Sequence, residues 1–302
     1  MTEPTRTPER SSQSSSLPLP LEQLLPVRSW LEVLKLPLLR WTLLFGLAPL
    51  AVAYFFSGSI DVNLAARVVG FYFAVLWGYI LMNLLGFFNI KARNILVPLI
   101  FTPAVGIALV LLLQQFPGFN LLYNATEQGF DPFRLLGYVA GVGVLEETVK
   151  ILPILWLCYW AKEIFSPKEA AFYAAVSGLA FGIAESARYL TAFDPTNGAL
   201  SSNGALSGGQ YVILQFIRLI TLPLLHAAFS GLVGYYVGLG ISRPRSRRML
   251  VIFGIAASAV VHGLYDFLNG WPSLLIAGFA IVAFVGTARS NEHIARDEHL
   301  AN

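Results

Sequence analysis

The strongest constraint on this chain is a succession of long apolar runs in which, apart from Arg67 at an edge, ionisable side chains interrupt only those of the second half. Crossing about 30 Å of hydrocarbon takes roughly 20 residues of α-helix. Runs of about that length fall at 41–57, 65–88, 95–116, 135–160, 169–190, 211–240, 249–268 and 272–288. None shows period-two alternation, and all are too long for barrel strands. The expected fold is therefore an all-α polytopic membrane protein of about eight transmembrane helices. Composition agrees: 56% of the residues are hydrophobic and 12% are charged, against roughly 25% charged in soluble domains. A soluble chain this apolar could not cover itself with polar surface, so the lipid bilayer is its solvent.

Lysine and arginine placement orients these runs. Arg6, Arg10, Arg28, Lys35 and Arg40 precede the first run. Lys91 and Arg93, Lys162 and Lys168, and Arg243 to Arg248 follow the second, fourth and sixth, and Arg289 and Arg296 follow the last. Only Arg134 stands clearly in the alternate loops. An eight-helix arrangement with both termini cytoplasmic satisfies the positive-inside rule at every loop. Residues 1–40 read as a disordered cytoplasmic tail with a short interfacial segment at 29–40, and no cleavable signal peptide is expected. The transmembrane domain is expected at 41–288 and a cytoplasmic tail at 289–302. Cys158 is the single cysteine, which rules out a disulfide framework or a thiolate metal site within one chain. The formal charge of +3 is small, and no nucleic-acid partner is expected. Residues 191–210 contain the near-repeat NGALS-S-NGALS, which reads as a flexible linker or as a flap over a site.

Each charge at mid-bilayer costs roughly 2.5–3.5 kcal/mol, so such residues face protein or water and serve a function. In this chain they fall on four consecutive runs. The fourth carries Leu145-Glu146-Glu147-Thr148-Val149-Lys150, and the fifth carries Phe181-Gly-Ile-Ala-Glu185 with Arg188 beyond it. The sixth carries Arg218 and His226, and the seventh carries His262-Gly-Leu-Tyr-Asp266. Glu146 and Lys150 share a helix face, while Glu147 is turned about 100° from Glu146. One carboxylate can therefore face a reacting centre while the other anchors a neighbour. His262 and Asp266, four apart, also share a face. Structural Glu–Lys, Glu–Arg and His–Asp pairs would account for each motif singly. Clustering on consecutive helices points instead to one site with two to four nitrogen and oxygen metal ligands. Two histidines plus a carboxylate form a common catalytic zinc set, and Zn2+ is the expected cofactor. No HExxH motif is present.

These ordered motifs, Glu146-Glu147-x-x-Lys150, Phe181-x-x-x-Glu185, His226 and His262-x-x-x-Asp266, resemble those of the PrsW family of intramembrane proteases, related to the CAAX-processing and Abi-type proteases. The resemblance covers roughly 135–268. EExxK in place of EExxxR, Glu185 in place of a second-motif His, and Asp266 in place of Asn favour PrsW over prenyl-protein processing. The resemblance implies a polytopic protease, set in a bacterial inner membrane. Its implied substrate is a membrane-anchored protein of the anti-sigma-factor kind, cleaved near its extracytoplasmic side. On this reading Glu146 or Glu147 acts as base, with Glu146 preferred and Glu147 then orienting; Glu185, His226 and His262 hold the metal, Asp266 orients, and Lys150 is the counter-charge. The alternative is a proton- or ion-coupled transporter using the same Glu/His/Asp chain. The sequence leaves the oligomeric state open.

Overall fold

The computed structural model describes residues 25–40, 42–43, 63–87, 90–127, 132–191, 208–268 and 270–300. All but two residues of the run expected at 41–57, the tail before residue 25, most of the 191–210 loop and the Arg188 side chain lie outside the described residues. Among the described residues every regular element is helical, and there is no strand. With no water to satisfy backbone groups in hydrocarbon, this is what long apolar runs must form.

Helix α1 spans Val27–Val33 and α2 spans Asn63–Leu84. Helix α3 begins as Ala92–Phe101, widens into a π-helical turn at Thr102–Gly106 and ends as Ile107–Leu113. Helix α4 is Pro117–Asn124. A short turn, Pro132–Leu136, and a second π-helical segment, Gly137–Gly143, lead into α5 at Val144–Tyr159. Helices α6 (Pro167–Thr191), α7 (Gly208–Ser242), α8 (Arg247–Phe267) and α9 (Trp271–Leu300) complete the bundle.

Among the described residues four stretches are long and apolar enough to cross a membrane, by length and composition: Ala92–Leu113, Ile217–Ser242, Pro244–Phe267 and Trp271–Ser290. Helix α5, which carries the buried Glu146, Glu147 and Lys150, and helix α6 are not among them. Two elements differ from the sequence expectation. Helix α4 forms in a stretch read as a loop, because Pro117 occupies the first helical turn, where its missing N–H is no loss. Helix α9 runs on to Leu300 through residues expected as a tail. The interfacial segment docks back on the bundle: Trp30 Nε1 donates to Thr287 Oγ1 of α9 at 2.9 Å.

The site is positioned by the antiparallel pair α6 and α7, the largest helix–helix interface of the bundle. Glycines make the contact. A Cβ placed at Gly178 would stand 2.1 Å from the His226 carbonyl oxygen, and one at Gly182 would stand 2.7 Å from Pro223 Cα. Gly234 and Gly238 meet Ala170 and Pro167 in the same way from the α7 side. Small residues four apart let two backbones touch. On the other flank, Gly143 is pressed against the Ala259 carbonyl of α8, and Gly263 against Val139. These close approaches draw α5, α6, α7 and α8 together around their ionisable residues.

Candidate active site

Lys150 is the centre of the cluster and is fully buried. Its Nζ donates to Glu147 Oε1 at 2.8 Å, lies 3.0 Å from Glu146 Oε2 and contacts His226 Nδ1 at 2.6 Å. It also sits 4.2 Å from the centroid of the Phe181 ring, whose electron-rich face favours a cation. The lysine backbone is held too: Ser177 Oγ of α6 donates to the Lys150 carbonyl at 2.6 Å, and Thr102 of α3 meets that hydroxyl at 2.7 Å.

These contacts set the histidine tautomers. An ammonium only donates, so His226 Nδ1 accepts from Lys150 and the Nε2–H faces Glu185 Oε2 at 2.6 Å. His262 Nδ1 pairs with Glu147 Oε1 at 3.1 Å, which makes Nδ1 the protonated nitrogen and leaves the lone pair on Nε2. That Nε2 lies 3.4 Å from Asp266 Oδ2 and 3.9 Å from Glu146 Oε2. Phe229 stacks on the His262 ring at 4.6 Å, and Ser230 Oγ donates to the second oxygen of Glu147 at 3.0 Å. Glu147 is thus fully buried and bonded on both oxygens.

Glu146 differs from its neighbour. Its Oε2 is buried and, despite the nearby ammonium, makes no hydrogen bond of acceptable angle. Glu146, His226 and His262 each offer a donor atom, and these atoms lie within 4.8 Å of one another. Glu185 is connected to this group through His226. The residues fit a divalent metal in three respects: an orphaned carboxylate oxygen, a lone pair on His262 Nε2, and a carboxylate on its Nδ1–H, the usual support of a metal-binding imidazole. For His226 to ligate, one of its two present contacts must give way.

A cavity of about 430 Å³ opens beside the cluster and is lined by Glu146, Glu185 and Asp266 together with Arg218, Gln114 and Tyr138. A larger apolar groove of about 910 Å³ between Leu96 of α3 and Trp156 of α5 contains none of these carboxylates.

The structure brings Glu146, Glu147, Lys150, Glu185, His226, His262 and Asp266 into one cluster, and places Arg218 on the cavity wall. The sequence reading did not single out Ser230, Phe229 or Gln114. Ser230 stands one helical turn beyond His226, and Gln114 is an amide closing an apolar helix; both were visible as residues, but their partners were not.

The fold and the cluster define a helical membrane protein with a buried glutamate–histidine centre on four successive helices. The model of the PrsW family, described as "PrsW family intramembrane metalloprotease", matches residues 90–288, more than half of the chain. The chain belongs to that family. It is also 24% identical over 159 residues to Protease PrsW of Oceanobacillus iheyensis, a match that covers 50% of this chain and 66% of that relative's length, just under two thirds. No solved structure matches the chain.

Proposed function

We propose that the protein is a metal-dependent endopeptidase that hydrolyses a membrane-anchored protein near the extracytoplasmic face of a bacterial inner membrane. An anti-sigma-factor-like protein is the proposed substrate. The observation that carries this reading is the convergence of Glu146, His226 and His262 beside a polar cavity.

Glu146, His226 and His262 would hold the metal, with Zn2+ the best match to an imidazole and carboxylate set. When bound, it supplies Lewis acidity for a peptide carbonyl and for water. Charge supports its presence. Glu146, Glu147, Glu185 and Asp266 are four carboxylates, balanced among the described residues of the cluster and its cavity by Lys150 and Arg218. A dication would offset the remainder, and uncompensated buried charge is costly.

The protein's own residues then divide the work. Glu185, 21% exposed at its side chain and on the cavity wall, is placed to accept a proton from the attacking water. This exchanges the roles expected for Glu146 and Glu185; the orphaned Glu146 oxygen and the exposure of Glu185 support the exchange. Glu147 fixes the His262 tautomer, Lys150 neutralises Glu147, and Asp266 flanks His262 Nε2.

We further infer eight spans with both termini cytoplasmic. Lys91 Nζ bonds Glu163 Oε2 at 2.8 Å, Arg93 pairs with the same glutamate, and Arg247 lies 4.7 Å from the Tyr159 ring centroid, which gathers basic loops at one end. The cavity lies at the other end, where α3 closes at Gln114 and α8 closes at Asp266. That polarity supports an extracytoplasmic opening.

The test is cleavage of a tagged single-span substrate by the full chain in proteoliposomes, with 1,10-phenanthroline and then added Zn2+. Cleavage lost with chelator and restored with metal is expected; cleavage indifferent to both would refute the metal-dependent reading. One observation favours a proton relay: Asp266, His262, Glu147, Lys150, His226 and Glu185 form a continuous chain of contacts of 3.4 Å or less. Proton flux in the same proteoliposomes without any cleavage would establish that alternative.

A further inference from the structure

Gln114 closes the apolar helix α3, and its position there is built rather than incidental. The buried residues of this helix recur every fourth position: Asn94, Pro98, Thr102, Gly106, Val110 and Gln114. A regular α-helix drifts about 40° for each step of four residues, so such a stripe would wind round towards lipid. The π-helical turn at Thr102–Gly106 carries an extra residue per turn and takes up part of that drift. Gln114 therefore stays on the protein side.

Its side chain has nothing to bond there. Gln114 is 9% exposed and lines the cavity that also holds Glu146, Glu185 and Asp266. Among the described residues no group hydrogen-bonds its carboxamide. Cavity space reaches the carboxamide, and a few polar groups on a pocket wall are what orient a ligand there. A carboxamide presents an N–H donor and a C=O acceptor in one plane, which matches the two groups of a peptide bond. In a helical substrate both groups are already used within the helix. They are free only where the helix is unwound.

We propose that Gln114 binds the main chain of an unwound substrate segment and so makes local helix breaking the specificity element of the cavity. Val110 and Leu111, the neighbouring walls, leave room for apolar side chains of that segment. The proposal rests on the endopeptidase reading and adds a substrate-binding residue to it.

The test uses the full chain in bicelles and two synthetic single-span peptides. One is an uninterrupted Leu-Ala helix; the other carries Asn-Gly-Gly towards its outer end. Anisotropy of a fluorophore on each peptide should show the wild type binding the interrupted peptide about tenfold more tightly, as expected for one or two added hydrogen bonds. Gln114→Leu should bind both alike. On a cleaved membrane substrate, Gln114→Leu should raise KM about ten- to hundredfold with kcat little changed, and its metal content should equal that of the wild type. If Gln114→Leu does not fold, Gln114→Met, with the same length and flexibility, is read instead. A variant that keeps both the preference and the KM overturns the proposal. A wild type without metal or cleavage overturns the endopeptidase reading instead, and the peptide preference is still measured.

Discussion

Gly178→Ala adds a single methyl group and changes no ionisable side chain, yet it should disable the site. The new Cβ would lie 2.1 Å from the His226 carbonyl oxygen, where side-chain carbons do not approach within 3.0 Å. Backbone stands on both sides of the contact, so α6 and α7 must separate by about 0.9 Å at this level. His226 rides on α7, and its contacts to Lys150 and Glu185 are both 2.6 Å. The same displacement would stretch these to about 3.5 Å, beyond useful hydrogen bonding. Misplacement of a catalytic group by about 1 Å costs on the order of 10²-fold in rate, and overpacking of this kind costs about 1–3 kcal/mol in stability. Both are measurable on one preparation, as kcat/KM for a cleaved membrane substrate and as thermal unfolding in the same micelles. Gly78→Ala is the control, since its Cβ would meet only Leu179 Cδ1, at an ordinary 3.5 Å. A Gly178→Ala protein with wild-type activity and stability would show that the two helices do not touch as described.

Three further outcomes follow from the same contacts. Glu147→Gln removes the charge that Lys150, Ser230 and His262 surround, and breaking a buried pair costs about 3–5 kcal/mol; thermal unfolding should fall by that amount, and an unchanged midpoint would contradict it. Phe181→Leu removes the ring beneath the Lys150 ammonium and should cost about 0.5–2 kcal/mol by the same assay, with no loss detected as the contrary result. At the loop end, the hydrogen bond from Lys91 holds the Glu163 carboxyl below the usual glutamate range. A depressed folded-state value contributes stability above the unfolded value, near 4.5, and loses it as pH falls through the folded value. Glu163→Gln should therefore be slightly less stable than wild type at pH 7, by less than about 1 kcal/mol, and equal to it near pH 3; a difference that grows in acid would reverse the sign.

Much of this architecture was legible because lipid leaves a chain few options. The runs at 249–268 and 169–190 fall within a few residues of α8 and α6, since apolar length and backbone satisfaction are the same requirement. Helix α4 escaped because its eight residues are too few to cross a bilayer and fall between two apolar runs, although proline at a first helical turn is a start signal. The glutamates, histidines and Asp266 stood out because charge in an apolar span has to be explained. Their connections did not. Helical spacing shows that Glu147 turns away from Glu146, but Ser230 as its donor and His262 as its partner depend on how closely glycines let α5, α7 and α8 approach. The roles proposed for Glu146 and Glu185 likewise turn on which oxygen lacks a hydrogen bond and which carboxylate is the more exposed, properties of packing that no spacing carries.

The chemistry proposed for this site depends on a metal ion held by Glu146, His226 and His262. Elemental analysis of the purified full chain beside Glu146→Gln and His262→Ala measures it directly. About one equivalent of metal is expected in the wild type, with its loss, and that of cleavage, in both variants. A wild type that cleaves its substrate while free of metal, or variants that retain a full equivalent, would contradict that.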